Sequence, residues 1–267
     1  MRHYWSIFAP ELKQYLTMTL SDRFWEIFDR DRTAPAVQAE ARALVEHAAP
    51  GPERSGLLAL IHHDGIGADC DLDTAFTYAE EGARGADGLA LYILAHMCEH
   101  AETPDQAEGG PRQKYDHYDA ERFMTLCAAT TSSWAAEAHL WLGHYFMDSA
   151  RGGDPEEALE HFSAIADNDL EAAGALADYY WAHAEATDYT DHELNAGLFA
   201  ATLRAVRLAP DLYSLRAGMM YAYGLGCEPD VALARKYLEE ARADGFTEAA
   251  EHLARLDETD SPARGED

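Results

Sequence analysis

One spacing occurs twice in this chain and constrains its fold more than any other feature. From Leu58 the sequence reads LALIHHDGIGADCDLDTAFTYAEEGA, and from Ala217 it reads AGMMYAYGLGCEPDVALARKYLEEARADG. Gly65 and Gly67 stand seven and nine residues after Leu58, as Gly224 and Gly226 do after Ala217. Ala75 and Ala234 follow seventeen residues after those same starts. On either side of the glycines, small and aromatic residues recur at helical spacing, so each stretch predicts a helix, a sharp turn and a second helix. Glycine suits the turn because it enters positive φ without steric cost. Three looser copies follow the plan. Leu94-Ala95 with Cys98 leads to Ala120 and Phe123. Leu142-Gly143 with Phe146 leads to Ala158, His161 and Phe162. Leu176-Ala177 with Tyr180 leads to Ala196 and Phe199. Leu253-Ala254 starts a half copy, expected to cap the array. The anchors Leu58, Leu94, Leu142, Leu176, Ala217 and Leu253 are 36, 48, 34, 41 and 36 residues apart. Periods in this range belong to stacked helix pairs, in which each pair exposes an apolar face that only the next can cover. Gly143 and Gly218 would let paired helices approach closely. A large side chain at either should overpack the crossing and cost about 1–3 kcal/mol.

These motifs resemble the Sel1-like repeat family, relatives of the tetratricopeptide repeats. The fifth copy carries the resemblance most fully, through Gly218, Tyr221, Gly224, Gly226, Asp230, Ala234, Tyr237, Ala241 and Gly245. The first carries it through Gly65, Gly67, Asp71, Ala75, Tyr78 and Ala83. Ala205-Val206-Arg207-Leu208-Ala209-Pro210 is similar instead to the end of a tetratricopeptide unit. The resemblance spans roughly residues 53–256. It implies an all-α fold, a right-handed α-solenoid of about five helix-pair repeats, and adaptor-type binding of another protein.

Residues 1–52 stand outside the repeats and are expected to form an N-terminal helical cap region. Pro10 suits a first helical position, and Ser21 is a candidate N-cap for a helix carrying Phe24, Trp25, Ile27 and Phe28. Thr33 and Pro35 open another helix, with Val37, Ala41, Leu44, Val45 and Ala48 at helical spacing. Pro50-Gly51-Pro52 then marks a boundary. The charge changes there too. The whole chain has a formal net charge of −29, but residues 1–52 hold seven acids and six bases, a net of −1, which leaves −28 for the rest. Such acidity repels phosphates and anionic lipid, which argues against nucleic acid and membrane surfaces as partners. It favours a basic protein, or simply solubility. The stretch 257–267 is acidic and expected to be disordered. Cys70, Cys98, Cys127 and Cys227 form no C-x-x-C pair and are read as reduced residues of a cytoplasmic protein. No apolar run reaches the length of a membrane span, and the first residues lack the pattern of a signal peptide.

Each first helix should turn its anchor inward and present the residues two before, two after and six after it on the opposite face. Those positions hold Tyr92, His96 and His100 in the second copy and Leu140, His144 and Asp148 in the third. They hold Gly174, Asp178 and Ala182 in the fourth, and Leu215, Met219 and Tyr223 in the fifth. Trp181 and Met147 stand at the edge. Aromatics and methionine among carboxylates suit a protein interface; the alternative is an ordinary solvated face. The second copy carries nine extra residues within ETPDQAEGGPRQKYDHYD. Insertions in repeat arrays fall on one rim, so Tyr115, His117 and Tyr118 are candidate contacts. The alternative is a loose polar loop.

His96 and His100 stand four apart, a spacing that can place two imidazoles on one metal, with His144 as a third donor. A helical histidine pair is otherwise a surface feature. The chain has no nucleophile elbow, phosphate loop or dinucleotide fingerprint. The residues therefore point to a non-enzymatic protein-binding module without a cofactor. An acidic array of this kind could hold or neutralise a basic partner, for example as a bacterial immunity protein against a toxin. An assembly scaffold whose charge serves solubility is the alternative, and a metal enzyme built on His96 and His100 is the remotest. The sequence does not fix an oligomeric state.

Overall fold

The structure, a computed structural model, describes residues 18–103, 115 and 117–260. Among these residues there are thirteen α-helices, one short 3-10 turn and no strand. In order they are α1 (Leu20–Phe28), α2 (Pro35–Glu46), α3 (Pro52–Asp64), α4 (Leu72–Arg84), α5 (Gly88–Glu99), α6 (His117–Ala128) and α7 (Trp134–Met147), then α8 (Pro155–Ile165), α9 (Leu170–Ala186), α10 (His192–Leu208), α11 (Pro210–Tyr223), α12 (Val231–Ala243) and α13 (Glu248–Asp260). No described helix is long and apolar enough to cross a membrane.

The helix starts are written in the sequence. Pro35, Pro52, Pro155 and Pro210 occupy first positions, where a missing N–H costs nothing. Asp71, Asp87, Asp154, Asp169, Asp191 and Asp230 are N-caps whose carboxylates accept backbone N–H bonds from the first turn. Such a cap is worth about 1 kcal/mol. Part of the chain's acidity therefore serves to begin helices. At the N-terminus the cap is Thr19, one half of a capping box with Asp22, and not Ser21. The Ser21 N–H instead donates to Glu53 at 2.8 Å, tying α1 to α3.

The chain divides into two compact units, one ending at Leu142 and the other beginning at Gly143, inside α7. In the first, α1 packs on α2, α3 on α4 and α5 on α6, and α3 touches both α1 and α5. In the second, α8 packs on α9, α9 on α10, α11 on α12 and α12 on α13, and α11 touches α13. All six anchors, Leu58, Leu94, Leu142, Leu176, Ala217 and Leu253, are buried. The residue after each is buried too, except Ala254, which is exposed on the last helix of the array. The close approaches fall where the sequence places them. A Cβ on Gly143 would come within 2.5 Å of the Phe162 ring, and one on Gly218 within 2.7 Å of Leu238. Tyr221 stacks on Tyr237 with 5.8 Å between ring centroids.

Three expectations change. First, the paired alanine of the fourth copy is not Ala196, which is exposed; the buried residue is Asn195. It is the fourth residue of α10, as Ala75, Ala120, Ala158 and Ala234 are of α4, α6, α8 and α12. Second, the N-terminal helices follow the same plan. Gln38 is the fourth residue of α2, and its amide donates to the Arg32 carbonyl six residues back at 2.7 Å. The Asn195 amide donates to the Tyr189 carbonyl, also six back, at 2.7 Å. Phe24 and Phe28 of α1 and Ala41 and Val45 of α2 are buried between the pair and α3. The break at Pro50-Gly51-Pro52 thus separates two helices but not two compact units. Third, residues 257–260 are helical, and Asp257 pairs with Arg235 at 2.7 Å; the remainder of the acidic tail lies outside the described residues.

Candidate functional site

Of the twelve outward positions, eleven are reached by solvent, while the anchors on the opposite side of the same helices are buried; Gly174 is the exception, buried where a Cβ would come within 2.5 Å of the Tyr213 hydroxyl. Tyr92, His96, Leu140, Trp181 and Met219 are half-buried, and His100, His144, Asp148, Asp178 and Tyr223 are exposed. The physical reason is the 3.6-residue period: an anchor facing the next pair turns the positions two before and two after it outward.

This face is laced by polar pairs between successive first helices, an arrangement invisible in any one copy. In the first unit, the Trp141 indole N–H of α7 donates to Glu99 of α5 at 2.9 Å. His63 of α3 lies 3.0 Å from Glu102, just beyond α5. In the second unit, His144 of α7 meets Glu171 of α9 at 2.8 Å, and Arg216 of α11 donates to Asp178 of α9 at 2.9 Å. Tyr223 of α11 meets His252 of α13 at 2.7 Å. The Arg216 guanidinium also lies over the Trp181 ring, 4.8 Å from its centroid. Asp148 accepts from the Ala150 N–H and caps a 3-10 turn. Burial between neighbouring helices holds the His252 imidazole below its ordinary range and pushes the Tyr92 phenol up.

The insertion behaves differently from the rim loop its composition suggests. Its far end folds back onto the first unit. Thr103 is buried and donates to the Tyr115 carbonyl at 3.3 Å. Tyr115 is set between α4 and α6, its hydroxyl donating to Glu80 at 3.1 Å and its ring edge-on to Phe123 at 5.0 Å. Tyr115 is thus an anchor rather than a free contact. Tyr118 is 70 % exposed, on the first turn of α6. The side chain of His117 and residues 104–114 and 116 lie outside the described residues.

The histidine pair is also rearranged. His96 and His100 stack face to face, 4.1 Å between centroids, so their lone pairs do not converge on one point. His100 Nδ1 bonds to the His96 carbonyl, and His144 is taken up by Glu171. His63, five residues past its anchor, sits edge-on to His96 instead, 5.5 Å between centroids. The sequence holds this meeting only when adjacent copies are laid side by side, the last turn of one first helix against the last turn of the next.

No protein-family model matches the sequence, and no curated protein matches it. Among solved structures, a Sel1 repeat protein from Oxalobacter formigenes superposes with a TM-score of 0.53 at 14% identity, over 90% of this chain and 98% of that one. The chain has the Sel1-repeat fold. Two further Sel1-repeat structures align at lower scores. One is a protective antigen present in uropathogenic Escherichia coli strains (TM-score 0.40, 14% identity, 85% of this chain and 52% of that one). The other is a putative Sel1 repeat protein from Klebsiella pneumoniae subsp. pneumoniae (TM-score 0.34, 17% identity, 87% of this chain and 88% of that one). The Sel1-repeat fold accounts for the paired helices and the glycine turns, and leaves the chemistry of the exposed face to this chain's own residues.

Proposed function

We propose that this Sel1-repeat chain is a non-catalytic docking module, which holds a basic protein on the outward faces of its first helices. One observation carries the reading. The positions that the repeat turns outward hold Tyr, Trp, Met, His and Asp side chains, all open to solvent, on a chain of net charge −29. Aromatic side chains supply contact area at low entropic cost, and surrounding carboxylates raise the encounter rate with a cationic partner. Neutralising a basic toxin or effector in a bacterial cytoplasm is one role that such a surface suits. The exposed apolar side chains Leu126, Leu212 and Val231 favour a second reading, a scaffold whose contacts are apolar and indifferent to salt.

Capture of partners from the native host by the full chain, followed by titration with salt, separates the two. The first reading expects a basic partner whose affinity falls steeply between 50 mM and 500 mM salt. It also expects Trp181→Ala or Tyr223→Ala to weaken binding by about tenfold or more. Partners of neutral or acidic character, bound equally at both salt concentrations, would overturn it.

A further inference from the structure

We propose that His63, His96 and Glu102 form a binding site for one borderline transition-metal dication, of which zinc is the natural example. Three parts of the first unit bring them together: the last turn of α3, the last turn of α5 and the turn that follows α5. The donor atoms of all three lie within 4.8 Å of one another. Glu102 Oε2 stands 3.0 Å from His63 Nε2 and 4.0 Å from His96 Nδ1, so one carboxylate oxygen faces both rings. In a tetrahedral zinc site, with bonds of about 2.0–2.2 Å, donors stand about 3.3 Å apart. To reach that spacing the donors must close by about 1.5 Å at most.

Two features point to a ligand rather than a chance meeting. His96 Nδ1 is shut off from solvent and has no hydrogen-bond partner. A buried, unsatisfied ring nitrogen is costly, and native structures rarely keep one without a use. His63, meanwhile, is already dressed as a metal ligand. Its Nδ1 lies 2.6 Å from Asp64 Oδ1, the carboxylate–imidazole arrangement that fixes the ring, and a metal would take the place of the proton that Nε2 shares with Glu102. Ala101 takes a left-handed φ of 56°, which turns Glu102 back so that its N–H reaches the Met97 carbonyl at 2.8 Å. The same turn ends α4, where Ala86 has a φ of 57° and the Asp87 N–H reaches the Gly82 carbonyl at 3.1 Å, so it is a helix end that happens to aim Glu102 at the two rings.

The donor set decides the metal class. Two imidazoles and one carboxylate suit zinc, cobalt, nickel or copper, whereas magnesium and calcium take oxygen donors. Three protein donors leave a fourth position for water. The site's place in the fold gives it a structural consequence. Glu102 and the buried Thr103 begin the inserted segment, so a bound ion would clamp the start of that segment to the end of α3. Nothing in this depends on the docking role.

The test is calorimetric titration of Zn2+ into the full-length chain after chelator treatment, with a thermal melt at each ratio. We expect one equivalent to bind tightly and raise the melting temperature. Mg2+ at equal concentration measures what the chain's general acidity does, and should produce no such shift. His63→Gln and His96→Gln should each weaken zinc binding by tenfold or more, whereas His144→Gln on the second unit should leave it unchanged. Should either variant melt lower than the wild type without metal, Glu102→Gln, which keeps the side-chain shape, serves in its place with the same expected loss. Absence of stoichiometric zinc binding, an equal response to Mg2+, or undiminished binding in the His63 and His96 variants would overturn the proposal.

Discussion

The two double-glycine turns are the same device set against different neighbours. Gly65 and Gly67 have φ of 68° and 69°, and Gly224 and Gly226 have 70° and 74°. In both turns the first glycine ends its helix in the left-handed region. In both, the second glycine lies against the fourth residue of a preceding helix, Gln38 of α2 or Asn195 of α10. The tightness differs. A Cβ on Gly67 would meet the Gln38 backbone at 3.2 Å, a contact that small shifts relieve. A Cβ on Gly226 would fall on the Asn195 carbonyl itself. Asn195 is buried, whereas Gln38 is half-buried near the N-terminal end of the described array. A repeat motif therefore fixes the path of the chain, while the neighbouring pair sets how much freedom remains.

The contrast breaks most sharply under alanine substitution. Gly226→Ala combines the left-handed penalty of about 1–2 kcal/mol with overpacking against a rigid carbonyl, and we expect a loss of about 3 kcal/mol in total. Gly67→Ala meets the first cost and little of the second, so about 1–2 kcal/mol is expected. Urea unfolding of the two variants beside the wild type measures both. Equal losses would show that φ alone governs the turns and that the neighbouring helix is irrelevant.

The same comparison shows what a sequence can disclose. The glycine turns, the anchors and the small residues at crossings are all legible, because each answers a local need: a positive φ, a close approach, an apolar face at helical spacing. The fourth copy slips by one residue, from Ala196 to Asn195, because a buried asparagine reads as a surface residue until its partner is known. That partner, the Tyr189 carbonyl, belongs to a turn whose Asp188 and Tyr189 have φ of 49° and 57°, a conformation that no glycine signals. The N-terminal pair is missed for a related reason: Gln38 stands where other copies have alanine, so the period shows only in three dimensions. Tyr115 is misread because nothing near it in sequence says that Phe76, Glu80 and Phe123 surround it. The zinc proposal rests on the same kind of meeting, since His63 and His96 belong to different copies.

The two amides should carry different weight. Asn195→Ala removes a buried donor to Tyr189 but also an Oδ1 that has no partner, so the two effects partly offset. We expect a net loss of about 1 kcal/mol. Gln38→Ala, at a more exposed site, should cost about half of that or less. The double comparison, each amide variant combined with its facing glycine variant, tests whether the glycine and the amide act as a unit. Additive losses would show that they do not.

The smallest effect concerns the cysteines that sit in or just beyond these turns. Cys70 is exposed, its Sγ 3.0 Å from the His63 carbonyl. Cys227 is half-buried, and burial pushes its thiol up, as do the carboxylates of Glu228 and Asp230. Alkylation needs the thiolate, so at neutral pH Cys70 should react first and Cys227 several-fold more slowly. Cys127 is a built-in reference, because it is fully buried with its thiol pushed up to about 12 and should react only on unfolding. Mass spectrometry of a timed iodoacetamide reaction orders the three. If Gly226→Ala loosens its turn without unfolding the chain, Cys227 in that variant should approach the rate of Cys70 while Cys127 stays silent. Acceleration of both would mean global unfolding, and the local tightness inferred for the second turn would then have no separate existence.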